Sequence, residues 1–134
     1  MTAFALKIVT PDGLQYDGQA EELVVRTVTG DMGILAGHIN CVAPLGMGRA
    51  TVVADGKRRY GACIGGMVSV VDGAVTLVPT TFEWAEEIDL KRAEASAERA
   101  RQAMANKEAS DAELRMAKAR LMRALVRSSV AKPM

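Results

Sequence analysis

At 134 residues the chain has room for one domain, or for one small domain with an appendage. Its 49% apolar and 25% charged content is that of a folded soluble protein, and a formal charge of +1 excludes attraction of the whole molecule to nucleic acid or an anionic membrane. The N-terminus, MTAFALKIVT, lacks a signal peptide's basic start and unbroken apolar core, because Lys7 interrupts it. The longest nearly uncharged run, Tyr60 to Val71, falls short of the ~20 apolar residues that a bilayer-crossing helix needs, so any membrane contact is expected to go through a partner. Cys41 and Cys63 sit among small or apolar residues and read as reduced, partly buried thiols.

Phe4, Leu6 and Ile8 alternate with Ala5, Lys7 and Val9, the period-two pattern of a half-buried strand. Pro11-Asp12-Gly13 predicts a turn, and Asp17-Gly18 a second one after a short Leu14–Tyr16 segment. Leu23 to Val28, LVVRTV, suits a strand, which Gly30-Asp31-Met32-Gly33 is expected to break. Further on, residues 50–54 and 58–64 flank Asp55-Gly56, while 67–71 and 74–78 flank Asp72-Gly73. Asp-Gly between strand-like runs signals a hairpin, because a type I′ turn needs positive φ at both central residues. Four Asp-Gly pairs within the first 73 residues predict an antiparallel sandwich or barrel. A parallel sheet would need crossover helices, and no helical pattern precedes residue 85.

The character changes across Trp84–Ala93, WAEEIDLKRA. Beyond it glycine disappears, and good helix formers take over. The chain is therefore α+β: a β unit over residues 1–84 and a helical unit over 85–134. Asp89 stands where the first helix should begin and can cap its free N–H groups. Leu90, Ala93, Ala97, Ala100 and Met104 then line one helix face, with Lys91, Arg92, Glu94, Glu98, Arg99 and Arg101 on the others. After a polar break at 106–109, Ser110 and Glu113 form a capping box, and Leu114, Ala117, Leu121 and Ala124 repeat the three-four spacing. Two antiparallel helices zipped face to face are predicted. The seams are mostly alanine, which buries little area at about 25 cal/mol per Å², so this hairpin should separate at modest cost. Six basic residues and no acidic one follow Leu114: Arg115, Lys118, Arg120, Arg123, Arg127 and Lys132. They suit a solvated helix face, and equally an anionic partner.

Little here could catalyse. A single histidine, His38, excludes a histidine-based metal cluster, and the cysteines lack a zinc-type repeat. There is no phosphate-binding G-x-x-x-x-G-K-[ST] loop, no dinucleotide G-x-G-x-x-G after a strand, and no G-x-S-x-G elbow. A biotinyl carrier would need a lysine between methionines at a hairpin tip, whereas Val68 follows Met67. The chain is read as non-catalytic, with no cofactor required. Nucleic-acid binding is not expected, since no aromatic residue is interleaved among the basic residues of the second helix.

Three stretches resemble one family, the epsilon subunit of bacterial F-type ATP synthases. GDMGILAGH (30–38) resembles its G-x-x-G-I-x-P-G-H turn, and IGGMVSVVDGAVTLVP (64–79) its G-G hairpin leading into V-T-V-L. EIDLKRA (87–93) carries its I/L-D-x-x-R-A motif. The resemblance covers essentially the whole chain in order and length. One departure stands out. Ala36 replaces the family's proline before Gly-His, and Ile39-Asn40-Cys41-Val42-Ala43-Pro44 replaces its small-Pro-Leu-Leu run, so this loop should be looser or differently shaped.

The resemblance implies a sandwich of about ten strands that docks in the central stalk against the gamma subunit and the c subunits of the rotor ring. Asp31, Met32 and His38 would belong to that docking region, although His38 also fits a plain turn histidine. The helical hairpin would fold on the sandwich or extend along gamma. Extended, Arg115, Lys118, Arg120, Arg123 and Arg127 would approach an acidic region of a catalytic beta subunit, within the alpha/beta head, and inhibit ATP hydrolysis. The motif further implies ATP as a regulatory ligand of the folded form, held by Ile88, Asp89, Arg92 and Ala93 with Arg123 and Arg127 across the hairpin. The plain alternative leaves Asp89 as a cap and Arg92 on the surface. Expected placement is peripheral, on the cytoplasmic face of the bacterial membrane and through the complex alone. A freestanding ATP-sensing module is the alternative function.

Overall fold

The computed structural model describes residues 2–132. The chain forms two compact units that part between Trp84 and Ala85. The first holds ten strands: β1 (Phe4–Thr10), β2 (Gly13–Ala20), β3 (Glu22–Thr27), β4 (Gly30–Leu35), β5 (Cys41–Pro44), β6 (Met47–Ala54), β7 (Lys57–Ile64), β8 (Met67–Val71), β9 (Ala74–Val78) and β10 (Thr81–Trp84). The second holds a 3₁₀ turn at Ala85–Glu87 and two helices, α1 (Leu90–Met104) and α2 (Asp111–Ala131).

Strand alternation builds the sandwich. Phe4, Leu6 and Ile8 point inward from β1, and Leu23, Val25, Ile34 and Val52 meet them from the other sheet, closed by Val68, Val70, Val75 and Leu77. Each fully buried aliphatic side chain contributes about 1.5–3 kcal/mol, so this layer dominates the unit's stability. The sheets run β2-β1-β9-β8-β5 and β10-β7-β6-β3-β4. Asp55 (φ 53°) with Gly56 (φ 72°), and Asp72 (φ 49°) with Gly73 (φ 84°), take positive φ at both centres as the hairpin signal requires.

Three expectations are corrected. Asp17-Gly18 makes no turn: both residues lie inside β2, opposite Lys7 and Leu6, and neither has positive φ. The cross-strand Asp17–Lys7 position suits opposite charges, and the Tyr16 hydroxyl donates to the Gln19 carbonyl at 2.5 Å, which holds the strand extended. The irregularity sits at Gln15, because Ile8 pairs with Tyr16 and Val9 with Leu14. Secondly, Gly30 to Gly33 do not break a strand. The break is at Val28-Thr29, where the Thr27 hydroxyl accepts from the Thr29 N–H at 3.2 Å and donates to the Gly30 carbonyl at 2.7 Å. Gly30–Leu35 is itself β4, paired antiparallel with β3. Thirdly, β1 pairs with β9 in parallel, Leu6 opposite Val75 and Ile8 opposite Leu77. The chain reaches that pairing through the second sheet and back, so no crossover helix is needed.

The Gly65-Gly66 turn ties several strands together. Both glycines have positive φ, the Gly66 carbonyl accepts from Leu45 N–H at 2.8 Å, and Gly65 N–H donates to the Gly46 carbonyl at 2.9 Å. A Cβ on Gly66 would overlap the Val78 carbonyl and lie 2.7 Å from Pro79 Cα. The last strand ends on an aromatic anchor. The Trp84 ring lies edge-on to Phe82 (4.9 Å) and under the Arg59 guanidinium (3.7 Å), and its Nε1–H donates to the Gln15 carbonyl at 3.3 Å.

In the helical unit Asp89 caps α1: with φ −82° and ψ 101°, its carboxylate accepts from the Arg92 N–H at 3.1 Å. Ser110 and Glu113 form the expected capping box on α2. The buried seam is Ala93, Ala97 and Ala100 of α1 with Ala117, Ala124 and Ser128 of α2. Leu90, Leu114 and Leu121 are only half-buried, and Met104 is exposed, so the larger residues of both predicted stripes seal little.

Replacing Gly66 by alanine should destabilise the sandwich by about 2 kcal/mol or more in denaturant unfolding, through positive φ and backbone overlap together. Asp89→Ala should cost α1 about 1 kcal/mol, read as faster amide exchange in its first turn, whereas Asp89→Asn should retain most of the cap.

Candidate functional site

The residues of the proposed ligand site fall at the open end of the hairpin. The helices are antiparallel: Arg99 and Ala103 of α1 lie by Ala117 and Arg120 of α2, while Glu94 lies by Ser128 and Lys132. The start of α1 is thereby beside the end of α2, which brings Asp89, Arg92 and Ala93 toward the helix turn that carries Arg123 and Arg127. Ile88 is half-buried, Ala93 is fully buried in the seam, Arg92 and Arg123 are exposed, and Arg127 is half-buried. One Asp89 oxygen is committed to the cap, so this carboxylate orders the motif by fixing the first turn under Arg92.

The hairpin has two unlike grooves. One, of about 280 Å³, is lined by Ser96, Arg99, Ala100, Ala103, Ala117 and Arg120. Its charged residues are both arginines, and the helical repeat extends the basic stripe at both ends. Arg92 lies seven residues before Arg99, and Arg127 seven after Arg120. Guanidinium groups gathered on one side favour a phosphate or carboxylate that bridges them. Arg99 was not among the sequence-predicted site residues; its spacing from Arg92 across Ser96 is the signal that could have found it. The other groove carries acids as well, Glu94 and Glu98, facing Arg101 and Lys132. Arg115, Lys118 and Arg120 are exposed.

The residues expected to dock partners through the sandwich do not converge. Asp31 holds Arg26 at 2.9 Å across the β3–β4 pair, over the space left by Gly48. Met32, next along the strand, packs against the core. His38 is half-buried beyond the Ala36-Gly37 turn, its N–H donating to the Leu35 carbonyl at 3.2 Å and its Nδ1 2.9 Å from the Ile39 carbonyl oxygen. The Ala36 loop is held at its far end, where the Asn40 amide donates to Asp72 at 3.2 Å and accepts from the Asp72 N–H at 2.8 Å. Sequence reasoning did not foresee an apolar outer face on the first sheet. Val42, Met67, Val71 and Val78 are all exposed there on adjoining strands, with Ile39 exposed in the loop alongside. An outer sheet face that meets solvent ordinarily alternates to polar residues, so this apolar group departs from that pattern.

Burial pushes the Cys63 thiol up to about 12, so it stays protonated and inert. Cys41 is half-buried, with Sγ 3.9 Å from His38 Nδ1. Among the described residues no group of three or more His, Cys, Asp or Glu is placed to hold a metal, and no helix is long and apolar enough to cross a membrane.

Residues 3–85 match the beta-sandwich domain of ATP synthase delta/epsilon chains, and residues 86–132 match the long alpha-helix domain of the same chains. The ATP synthase epsilon chain of Bacillus velezensis is 41% identical over 131 residues, which is 98% of each chain. That of Bacillus subtilis is 43% identical over 115 residues, 86% of each. The fold also recurs in a chain of the Euglena gracilis mitochondrial ATP synthase, with a TM-score of 0.86 at 24% identity over 98% of this chain and 83% of that one. A Tetrahymena thermophila mitochondrial ATP synthase chain gives 0.63 at 14% identity, over 96% of each. By both domains and by identity across nearly its full length, this chain belongs to the ATP synthase delta/epsilon family.

Proposed function

We propose that the chain is a non-catalytic epsilon subunit of the central stalk of a bacterial F-type ATP synthase, coupling the catalytic head to the membrane ring. The family match over both units carries this reading. In it the sandwich docks against gamma and the c subunits, with Val42, Met67, Val71 and Val78 offering the apolar area and Asp31, Met32 and His38 contributing separately, from β4 and the loop that follows it. Membrane association is then peripheral, on the cytoplasmic face and by way of the complex.

The helical unit is the regulatory part. Its alanine seam buries little apolar area, so a partner that covers the helices separately competes well with their contact. Extended, α2 would bring Arg115, Lys118, Arg120, Arg123 and Arg127 to an acidic surface of a catalytic beta subunit and inhibit ATP hydrolysis. Folded, the arginine groove suits ATP: Arg92, Arg123 and Arg127 pair with the phosphates, Arg99 adds charge beside them, and Ile88, Asp89 and Ala93 shape the end nearer the base. ATP would then favour the folded form through its differential affinity alone. The freestanding-sensor alternative is disfavoured by the exposed apolar face of the sandwich, which an isolated sensor has no use for.

Calorimetric titration of the protein with ATP should give saturable binding that Arg92→Ala weakens about tenfold or more, the effect of losing one charge-assisted phosphate contact. Absence of binding up to millimolar ATP would leave Asp89 as a cap and remove nucleotide from the regulation.

A further inference from the structure

The seam of the hairpin contains a polar atom with nothing to bond. Ser128 of α2 is 6% exposed, and its Oγ is sealed from solvent with no hydrogen-bond partner among the described residues. It lines the acidic and basic groove, of about 380 Å³, beside Ala97 of α1. A serine buried within a helix ordinarily turns its hydroxyl back to the carbonyl four residues earlier, and here it does not make that bond. The other buried residues of the two helices, Ala93, Ala97, Ala100, Ala117, Ala124 and Val130, are all apolar. On the rim, Arg101 is turned to Glu98 at 3.6 Å.

We propose that Ser128 is a built-in destabiliser of the folded hairpin and sets how readily α2 parts from α1. The inference rests on the reading above that the hairpin opens. Closing the hairpin strips water from the hydroxyl and supplies nothing in its place, whereas opening restores hydration. Because the penalty exists only in the closed form, it shifts the equilibrium by its full amount. A seam of methyl groups buries little area, so one orphaned hydroxyl is a large fraction of what decides between the two forms. Alanine at the same position would complete the seam that the five alanines begin.

Amide exchange of the full chain tests this. Ser128→Ala should slow exchange across α1 and α2 by about tenfold, leaving the sandwich strands unchanged. Ser128→Cys should also slow it, because cysteine is a no better helix former than serine but tolerates burial. Slowing by alanine of no more than the roughly twofold that helix propensity alone provides, with no slowing by cysteine, would overturn the proposal. In the assembled ATP synthase, Ser128→Ala should raise ATP hydrolysis by keeping the hairpin closed. Slower exchange with unchanged hydrolysis would uphold the role of Ser128 and overturn the inhibitory reading of the hairpin.

Discussion

The molecule depends on the difference between two kinds of burial. Between the sheets, Leu6, Ile8, Leu23, Ile34 and Leu77 lose essentially all their accessible surface, and each is large. Between the helices, the fully buried side chains are chiefly alanines. At about 25 cal/mol per Å², the first kind supports an independent domain, while the second supports a contact that competes closely with other arrangements. One chain thus joins a unit with a large apolar core to a unit closed over small side chains.

The junction respects that division. Trp84 is fixed within the sandwich by Arg59, Phe82 and the Gln15 carbonyl, and α1 does not begin until the Asp89 cap. Between them lie only a short 3₁₀ turn and Ile88-Asp89. The cap stabilises α1 from within the helical unit itself. Charge follows the same pattern, since the arginine stripe is confined to the helices. A ligand or partner that answers it would meet the helical unit.

Much of this was legible because the deciding forces are local. Asp55-Gly56 and Asp72-Gly73 declare hairpins through their own backbone preferences, and Ser110 with Glu113 declares a helix start through bonds made within one turn. The misreadings come from the opposite situation. Asp17-Gly18 has the composition of a turn, yet pairing with Lys7 and Leu6 on β1 holds it extended. Gly30 to Gly33 read as a break because glycine weakens a strand, but pairing along the whole of β3 overrides that weakness. The parallel β1–β9 pair joins residues remote in sequence and leaves no local trace. At the candidate site, the I-D-x-x-R-A stretch could be read directly and Arg99 follows from its helical spacing to Arg92, whereas the orphaned Ser128 emerges only when one helix is laid against the other. The apolar outer face of the first sheet needed the strand order, because its residues come from three separate strands.

The central claim is that a self-sufficient sandwich carries a separable regulatory hairpin. Deleting Ile88 onward and assembling the remainder into the ATP synthase tests it most directly. The account predicts that the shortened chain still unfolds cooperatively as a β protein and still assembles, and that ATP hydrolysis by the complex rises. A shortened chain that cannot fold would contradict the independence of the sandwich, and unchanged hydrolysis in an assembled complex would contradict the regulatory role of the helices.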